Sequence, residues 1–215
     1  MRVSVFGDVH GNLVALETFV AATQDIVDAY LCLGDVVDYG PWNDDCLEIV
    51  LQLPGIRVLE GNHERLFAGA ESVDHESALA QAFFRRSRQF FSRGDLIAGL
   101  PLRAKLGLFE CVHTIDGRYI YRDSPIDIAC DYMVGHTHHQ FTIDRSGFVI
   151  VNPGSVGQNR EWIDMVDFLI LDTESGEVQM HAVPYNVDQF LSELRLRHYP
   201  EECVRYYASK PRKAV

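Results

Sequence analysis

The stretch Val3-Ser4-Val5-Phe6-Gly7-Asp8-Val9-His10 leads from an apolar run directly into two side chains that can bind metal ions. Four later apolar runs end in the same way, at Gly34-Asp35, Gly61-Asn62-His63, His113 and Gly135-His136-Thr137-His138. The five runs predict buried strands over Val3–Phe6, Ala29–Leu33, Ile56–Leu59, Leu106–Val112 and Tyr132–Val134. Because open α/β sheets bind ligands outside the carboxyl ends of their strands, we expect these polar clusters to meet at one edge.

Longer amphipathic segments separate the early strands, which is the pattern of an α/β fold. Helices are predicted over Leu13–Ala22 and Asp44–Leu51, and a surface helix or lid over Ser77–Phe91. After residue 140 the pattern changes to strands and turns, which predicts a second sheet packed on the first, with strands over 141–143, 147–151, 168–171 and 178–183. A final helix, capped by Asn186 or Asp188, is expected to reach about Leu196 and to end near Pro200.

Length and composition limit the class of protein. A chain of 215 residues without a linker or low-complexity run predicts a single domain, residues 1–215. The formal net charge of -12 disfavours binding to duplex nucleic acid or to an anionic membrane, but bound divalent cations would still let the protein bind phosphate. The scattered cysteines predict reduced thiols, and no segment resembles a signal peptide or a membrane span, so we expect a cytoplasmic protein.

The polar clusters support different interpretations when each is considered alone and when all are considered together. Alone, each is explained as a turn, a helix cap or a hydrogen-bonded core histidine. Together they predict a metal site made of Asp8, His10, Asp35, Asn62, His113, His136 and His138. Carboxylate, amide and imidazole ligands without thiolates suit manganese, iron, zinc or nickel better than a structural zinc. One octahedral ion cannot use all of these ligands, so we expect two cations with Asp35 as the bridge, an arrangement that activates water for attack on a phosphate ester.

These motifs resemble the signature of the calcineurin-like metallophosphoesterases, and in particular the small bacterial and archaeal phosphodiesterase-type members. The residues that carry the resemblance are Gly7-Asp8-Val9-His10-Gly11-Asn12, Gly34-Asp35-Val36-Val37-Asp38, Gly61-Asn62-His63-Glu64, His113 and Gly135-His136-Thr137-His138. The resemblance implies a four-layer α/β/β/α sandwich and two divalent metal ions, with manganese preferred and iron, zinc or nickel as alternatives. It implies a first metal ion on Asp8, His10, Asp35 and His138, and a second on Asp35, Asn62, His113 and His136.

The resemblance also implies roles for residues around the metal ions. His63 would contact the substrate phosphate or protonate the leaving group, and Asp38 would orient His63, although Asp38 is also explained as a turn residue before Gly40-Pro41. The segment 152–157 resembles the loop that follows the last metal motif in this group. It therefore indicates four candidate contacts to phosphate or leaving group, of which turn chemistry explains the first three equally well: Asn12, Asn152, Ser155 and Arg160.

The leading hypothesis is a phosphodiesterase or phosphomonoesterase that acts on a small phosphate ester by attack of a hydroxide bridging two metal ions. An alternative is a serine/threonine protein phosphatase or a dinucleoside polyphosphatase, which Asp38 and Glu64 suggest. Tyr39 stands where protein phosphatases have an Arg that clamps phosphate, and this weighs against protein substrates. A non-catalytic scaffold that retains the fold is a further alternative, against which the complete ligand set and His63 argue. The sequence carries no signal for the oligomeric state.

Overall fold

The computed structural model describes residues 1–213, whose ten strands form two five-stranded mixed sheets. The strands are β1 (Arg2–Phe6), β2 (Ala29–Cys32), β3 (Arg57–Val58), β4 (Arg103–Leu106), β5 (Phe109–Val112), β6 (Tyr132–Met133), β7 (Gln140–Arg145), β8 (Phe148–Pro153), β9 (Met165–Asp172) and β10 (Val178–Pro184). The first sheet has the order β10-β9-β1-β2-β3, and the second has the order β4-β5-β6-β8-β7.

Parallel strands in both sheets direct the polar clusters to a common end of the molecule. In the first sheet β1 pairs in parallel with β2, and β2 with β3. In the second sheet β5 pairs in parallel with β6, and β6 with β8. The loops that leave the carboxyl ends of β1, β2, β3, β5 and β6 carry the polar clusters, so two sheets and not one supply the site.

Seven helices accompany the sheets within residues 1–213. They are α1 (Leu13–Thr23), α2 (Asn43–Gln52), α3 (Asn62–Phe67), α4 (Ala78–Ser87), α5 (Gly94–Ile97), α6 (Val187–Leu196) and α7 (Glu201–Ala208). Side-chain oxygens of Asn12, Ser77 and Asn186 accept backbone N–H groups at the starts of α1, α4 and α6, as expected for N-caps. No helix in this described part has both the length and the apolar character that crossing a bilayer requires.

Alternation along β1 and β2 divides the core into layers. Val3 and Val5 belong to a hydrophobic cluster between the two sheets, whereas Phe6 belongs to a second cluster, between the first sheet and the helices. The Phe6 ring packs against Phe19 of α1 at 4.4 Å between centroids. A third cluster covers the outer face of the second sheet, where Ile150 packs with apolar side chains of the irregular segment 114–131. The molecule therefore has a helical layer, two sheets and a fourth layer that is irregular within this segment.

Most of the predicted elements are confirmed, but the strand predicted over Leu106–Val112 is wrong. The structure has a hairpin there, in which Gly107 and Leu108 connect β4 to β5. Gly107 has a φ of +58°, a conformation that glycine adopts without steric cost. Leu106, Leu108 and Phe109 gave the turn an apolar sequence, although Leu108 is 86% exposed. The pattern therefore resembled one continuous buried strand.

The predicted second sheet exists, but the predicted division at residue 140 is wrong. The second sheet begins at β4, and both β9 and β10 return to the first sheet. Strand β9 pairs antiparallel with β1, with Leu171 opposite Val3. All residues of β9 except the last are buried, because the strand lies inside the sheet with both faces covered.

The C-terminal part of the chain contains a helix that the sequence analysis missed. The chain was expected to lose helical structure near Pro200, but Pro200 is the N-cap of α7. Proline is well tolerated at the start of a helix, and acidic residues in the first turn, here Glu201 and Glu202, interact favourably with the helix dipole. The short helices α3 and α5 were also not predicted. The lid segment Ser77–Phe91 forms α4 followed by a 3-10 turn over Arg88–Phe90.

Candidate metal centre

The loops at the common end of the sheets bring most of the predicted ligands close enough to one another to share a metal ion. Three groups have ligand atoms that all lie within 4.8 Å of each other: Asp8 with His10 and His138, His10 with Asp35 and His63, and Asp35 with His113 and His136. Asn62 joins the last group, since its Oδ1 lies 3.0 Å from His113 Nε2. All seven predicted metal ligands are therefore neighbours in the folded chain.

Backbone conformation concentrates strain at these ligands. Five of them have φ between 50° and 71°, in the left-handed region that non-glycine residues rarely adopt: Asp8, His10, Asp35, His136 and His138. Such a conformation costs on the order of 1–3 kcal/mol per residue and persists where the surrounding structure enforces it. Gly61 is required for a steric reason, because a Cβ at this position would overlap with Asp35 Oδ1.

The first group contains imidazole nitrogens that face one another without a proton. His10 Nδ1 lies 3.1 Å from the Val37 carbonyl, and His138 Nδ1 lies 2.9 Å from the Gln158 carbonyl. A carbonyl oxygen can only accept, so both Nδ1 atoms carry the proton and both Nε2 atoms present a lone pair. The two Nε2 atoms are 3.2 Å apart.

Asp8 completes this electron-rich group. Its Oδ1 lies 3.2 Å from His138 Nε2. Burial lowers the pKa of both His10 and His138 well below the usual range, which keeps the imidazoles neutral. Lone pairs and a carboxylate at these distances repel each other unless a cation lies between them, so the group fits a divalent metal ion.

The second group has the same design around His113. His113 Nδ1 donates to the Leu33 carbonyl at 2.9 Å, and Nε2 lies 3.1 Å from Asp35 Oδ2 and 3.2 Å from His136 Nδ1. Asp35 Oδ2 is buried and has no hydrogen-bond donor among the residues that the structure describes. Burial lowers the pKa of His113, but the negative charge of Asp35 outweighs it and raises the pKa to about 9. A metal ion in this group would take the place of that proton.

Glu64 holds the backbone around Asp35 and Asn62, a role that was not predicted from the sequence. Its fully buried carboxylate accepts N–H groups from Asp35 and Val36, each at 2.8 Å, and from Gly61 at 2.9 Å. It thereby ties the loop after β2 to the loop after β3. Its position in the first turn of α3, where its side chain accepts the N–H of the N-cap residue Gly61, is the sequence signal that indicates this role.

Asp38 and His63 form a pair beside the metal ligands, as the sequence indicated. His63 Nδ1 donates to Asp38 Oδ2 at 2.8 Å, which leaves Nε2 on the side of Asp35, 3.9 Å from its Oδ2. Burial lowers the pKa of His63, but Asp35 and the hydrogen bond to Asp38 outweigh it and raise the pKa to about 9. The structure therefore brings together His63, expected to contact phosphate or protonate the leaving group, and Asp38, expected to orient His63.

Three of the four candidate substrate contacts lie inside the protein. Asn12 caps α1 and its Nδ2 donates to the Gly157 carbonyl, while Asn152 Nδ2 donates to the Gly135 carbonyl; both residues are fully buried. Ser155 is buried too, and its hydroxyl donates to the Asp8 carbonyl. These positions contradict direct substrate contact by Asn12 and Asn152, because their amides already bind protein groups. They hold the ligand loops in place instead.

Arg160 alone of the four faces the site. It lines a small cavity of about 40 Å³ together with Asp35, Tyr39, Asn62, His63, Glu76, Tyr119, His136 and His138. Its Nε is buried and has no hydrogen-bond partner among the described residues. Several of the same side chains line a groove of about 470 Å³ that adjoins the cavity, where the Tyr119 ring packs on His136 at 4.1 Å between centroids.

Comparison with known proteins assigns the fold and the site to a family. A family model described as calcineurin-like phosphoesterase matches residues 1–211. The chain belongs to this family. The α/β sandwich expected for calcineurin-like phosphoesterases is thus confirmed, with two mixed sheets and their helices. The family binds divalent metal ions, and the histidine and aspartate groups described above are this chain's candidate ligands.

Individual relatives of this calcineurin-like phosphoesterase extend over nearly the whole chain. An uncharacterized protein of Methanocaldococcus jannaschii is 26% identical, over 93% of this chain and 94% of that protein. A metallophosphoesterase from Sphaerobacter thermophilus superposes with a TM-score of 0.77 at 29% identity, covering 97% of this chain and 98% of its own. A hypothetical protein from Pyrococcus horikoshii superposes with a TM-score of 0.83 over 96% of this chain and 97% of its own, but at 17% identity, and it shows the fold alone.

Proposed function

We propose that this protein hydrolyses a small phosphate monoester or diester and uses two divalent metal ions to do so. The observation that carries the proposal is the close approach of imidazole nitrogens to one another and to two buried carboxylates, at 3.1–3.2 Å. The first ion would bind Asp8, His10, Asp35 and His138, and the second Asp35, Asn62, His113 and His136. Two bound cations would supply an activated water and neutralise charge on the phosphate oxygens.

The choice of metal follows from the donor atoms. Carboxylate and amide oxygens mixed with imidazole nitrogens, without a thiolate, suit manganese, with iron, zinc and nickel as alternatives. Three distal imidazole nitrogens, of His10, His113 and His138, donate to backbone carbonyls, which orients the rings toward the ions.

His63 is the proposed proton donor for the leaving group. Its Nδ1 is held by Asp38, so Nε2 remains free on the side of the cavity. A histidine in this position can place a proton on the oxygen that leaves phosphorus. Arg160 is the proposed phosphate clamp, because it lines the same cavity and its buried Nε has no hydrogen-bond partner within residues 1–213. Arg160 lies in the loop before β9 and carries the positive charge that Tyr39 lacks.

The groove beside the cavity favours a leaving group without negative charge. Its lining includes four carboxylates and two guanidinium groups, from Glu60, Glu71, Glu76, Asp116, Arg65 and Arg103. Arg65 already pairs with both Glu60 and Glu71, at 3.6 Å and 2.6 Å. A polyphosphate chain in this groove would meet net negative charge, which disfavours a dinucleoside polyphosphate as the substrate. Position 39 is a tyrosine and not the phosphate-binding arginine of protein phosphatases, which likewise disfavours the protein phosphatase alternative.

Metal analysis combined with one substitution tests the proposal. We expect the purified protein to retain or rebind about two equivalents of transition metal, as the two ligand groups require. With manganese it should hydrolyse p-nitrophenyl phosphate or bis(p-nitrophenyl) phosphate. Asp35→Asn should lose both properties, because Asp35 lies between the groups, whereas Asp25→Asn at an exposed position should keep both. A protein that neither retains nor rebinds metal, or an Asp35→Asn variant with full turnover, would refute the proposal.

A further inference from the structure

A serine on α4 makes a hydrogen bond to the Asp38–His63 pair. Ser87 is the last residue of α4 and is fully buried. Its Oγ lies 2.5 Å from Asp38 Oδ1, while Asp38 Oδ2 accepts from His63 Nδ1 at 2.8 Å. A carboxylate has no hydrogen to give when ionised, so the Ser87 hydroxyl is the donor. The three side chains form one hydrogen-bonded row from α4 to the cavity.

The backbone around this row is fixed by Asn43. Asn43 Nδ2 donates to the Ser87 carbonyl at 3.1 Å, and Asn43 Oδ1 accepts the Asp38 N–H at 2.8 Å. The same asparagine therefore holds the end of α4 and the turn that carries Asp38. The other acceptor near the Ser87 hydroxyl is the Phe84 carbonyl at 3.4 Å, which is too distant to compete with a charged oxygen at 2.5 Å.

A second donor reaches the same carboxylate oxygen but cannot replace Ser87. The Tyr39 N–H donates to Asp38 Oδ1 at 2.6 Å. This donor belongs to the neighbouring residue and moves with the turn, in which both Asp38 and Tyr39 have positive φ. Ser87 belongs to a different element, so its hydroxyl fixes Asp38 Oδ1 relative to α4.

We propose that Ser87 is a positioning residue for the proton donor of this enzyme. Its hydroxyl holds Asp38 Oδ1, which keeps Oδ2 directed at His63 Nδ1 and thereby keeps His63 Nε2 directed at the leaving-group oxygen. The inference rests on the proposed function, and it gives α4 a part in catalysis in place of the lid role expected from the sequence. Without the hydroxyl, the carboxylate loses a charge-assisted hydrogen bond in a buried place and the orientation of His63 is less restricted.

The leaving group of the substrate separates this role from a purely structural one. A nitrophenolate leaves without a proton, whereas a phenolate or an alkoxide needs one from a general acid. Ser87→Ala should lower kcat for phenyl or alkyl phosphate esters about tenfold or more, a part of the effect of a complete general acid. For p-nitrophenyl esters kcat should change less than about twofold, and KM and the bound metal should stay unchanged. Ser87→Thr keeps a hydroxyl and should restore the wild-type pattern.

Ser77→Ala is the matched control, because Ser77 is exposed at the other end of α4, where its hydroxyl caps the helix by accepting the Ala80 N–H. It should lower the melting temperature without changing the dependence on the leaving group. Equal losses for nitrophenyl and phenyl esters in Ser87→Ala, no loss at all, or the same selective loss in Ser77→Ala would each overturn the proposal.

An NMR measurement tests the positioning role of Ser87 independently of turnover. In the wild-type protein the His63 Nδ1 proton should give a hydrogen-bonded imidazole NMR signal that Ser87→Ala weakens or shifts and Ser87→Thr retains. Should the wild type hydrolyse no ester, the proposed function fails and this signal alone decides the role of Ser87. An unchanged signal in Ser87→Ala would then refute it.

Discussion

Glu64 is a buried acid whose oxygens accept main-chain N–H groups and, within residues 1–213, form no ion pair with a cationic side chain. Its two oxygens accept N–H groups from Asp35, Val36 and Gly61, and Val37 N lies 3.3 Å from one of them. These donors belong to the turns that present Asp35 and Asn62. The side chain therefore determines the separation of two candidate ligands although it would not touch a metal ion.

Replacing this carboxylate by an amide should damage metal binding. In Glu64→Gln one acceptor oxygen becomes an NH2 group that faces N–H donors, so at least one buried donor loses its partner at a cost of about 1–3 kcal/mol. We expect a lower melting temperature and weaker manganese binding by calorimetry, with Glu17→Gln on the exposed side of α1 as the control. Unchanged manganese affinity in Glu64→Gln would contradict the role given to Glu64.

The clustering of the candidate metal ligands could be predicted from the sequence because these residues follow the ends of strands. Asp8 and Asp35 need only the rule that carboxyl ends of neighbouring parallel strands meet. Asn12 and Asn152 were misjudged because their burial and their amide partners depend on the packing of distant segments. Ser87 was missed for the same reason, since it is 49 residues from Asp38 in the chain and only tertiary packing brings them together.

Strand β9 carries an acid whose environment affects stability. Asp167 is 7% exposed, and burial raises its pKa to about 7, against a usual value near 4. The folded state therefore holds a proton that the unfolded chain has lost between about pH 4 and pH 7, so Asp167 makes the protein less stable as the pH rises through that range.

Asp167→Asn should remove this pH dependence. The melting temperature of the variant relative to the wild type should rise from pH 5 to pH 7 and then become constant, because an amide does not ionise. Thermal unfolding at pH 5, 6, 7 and 8 measures the difference, and Asp25→Asn should show no such trend. A constant difference between Asp167→Asn and the wild type over this range would show that Asp167 does not titrate as described.

At the level of elements, the hydrophobic periodicity of the sequence predicted the strands and helices better than it predicted which strands pair with one another. The run 106–112 read as one strand because the β4–β5 turn is apolar, and only the positive φ of Gly107 allows the reversal. The position of β9 beside β1 is a long-range pairing that local patterns do not encode. Helix α7 was missed because Pro200 was interpreted as an end and not as a start.

Across the whole molecule, the two sheets divide the candidate ligands between them. Asp8, His10, Asp35 and Asn62 follow strands of the first sheet, and His113, His136 and His138 follow strands of the second. Each proposed metal ion would therefore bind side chains from both sheets. The buried carboxylates and imidazoles lie close together at one end of the interface between the sheets.

Metal binding should consequently stabilise the whole fold and not only the loops. A ligand present at about 100 times its dissociation constant stabilises the native state by about 2.7 kcal/mol. In a chain of this size that raises the melting temperature by roughly 5–10 °C. We expect manganese to cause such a rise, a chelator to reverse it, and Asp35→Asn to lose most of it, since both groups of ligands share Asp35 or lie beside it. Hydrogen exchange should slow in the loops after β1 and β2 and also in those after β5 and β6, because a shared ion links the sheets. Protection confined to one sheet, or an equal rise in Asp35→Asn, would mean that the two sheets do not share the cations.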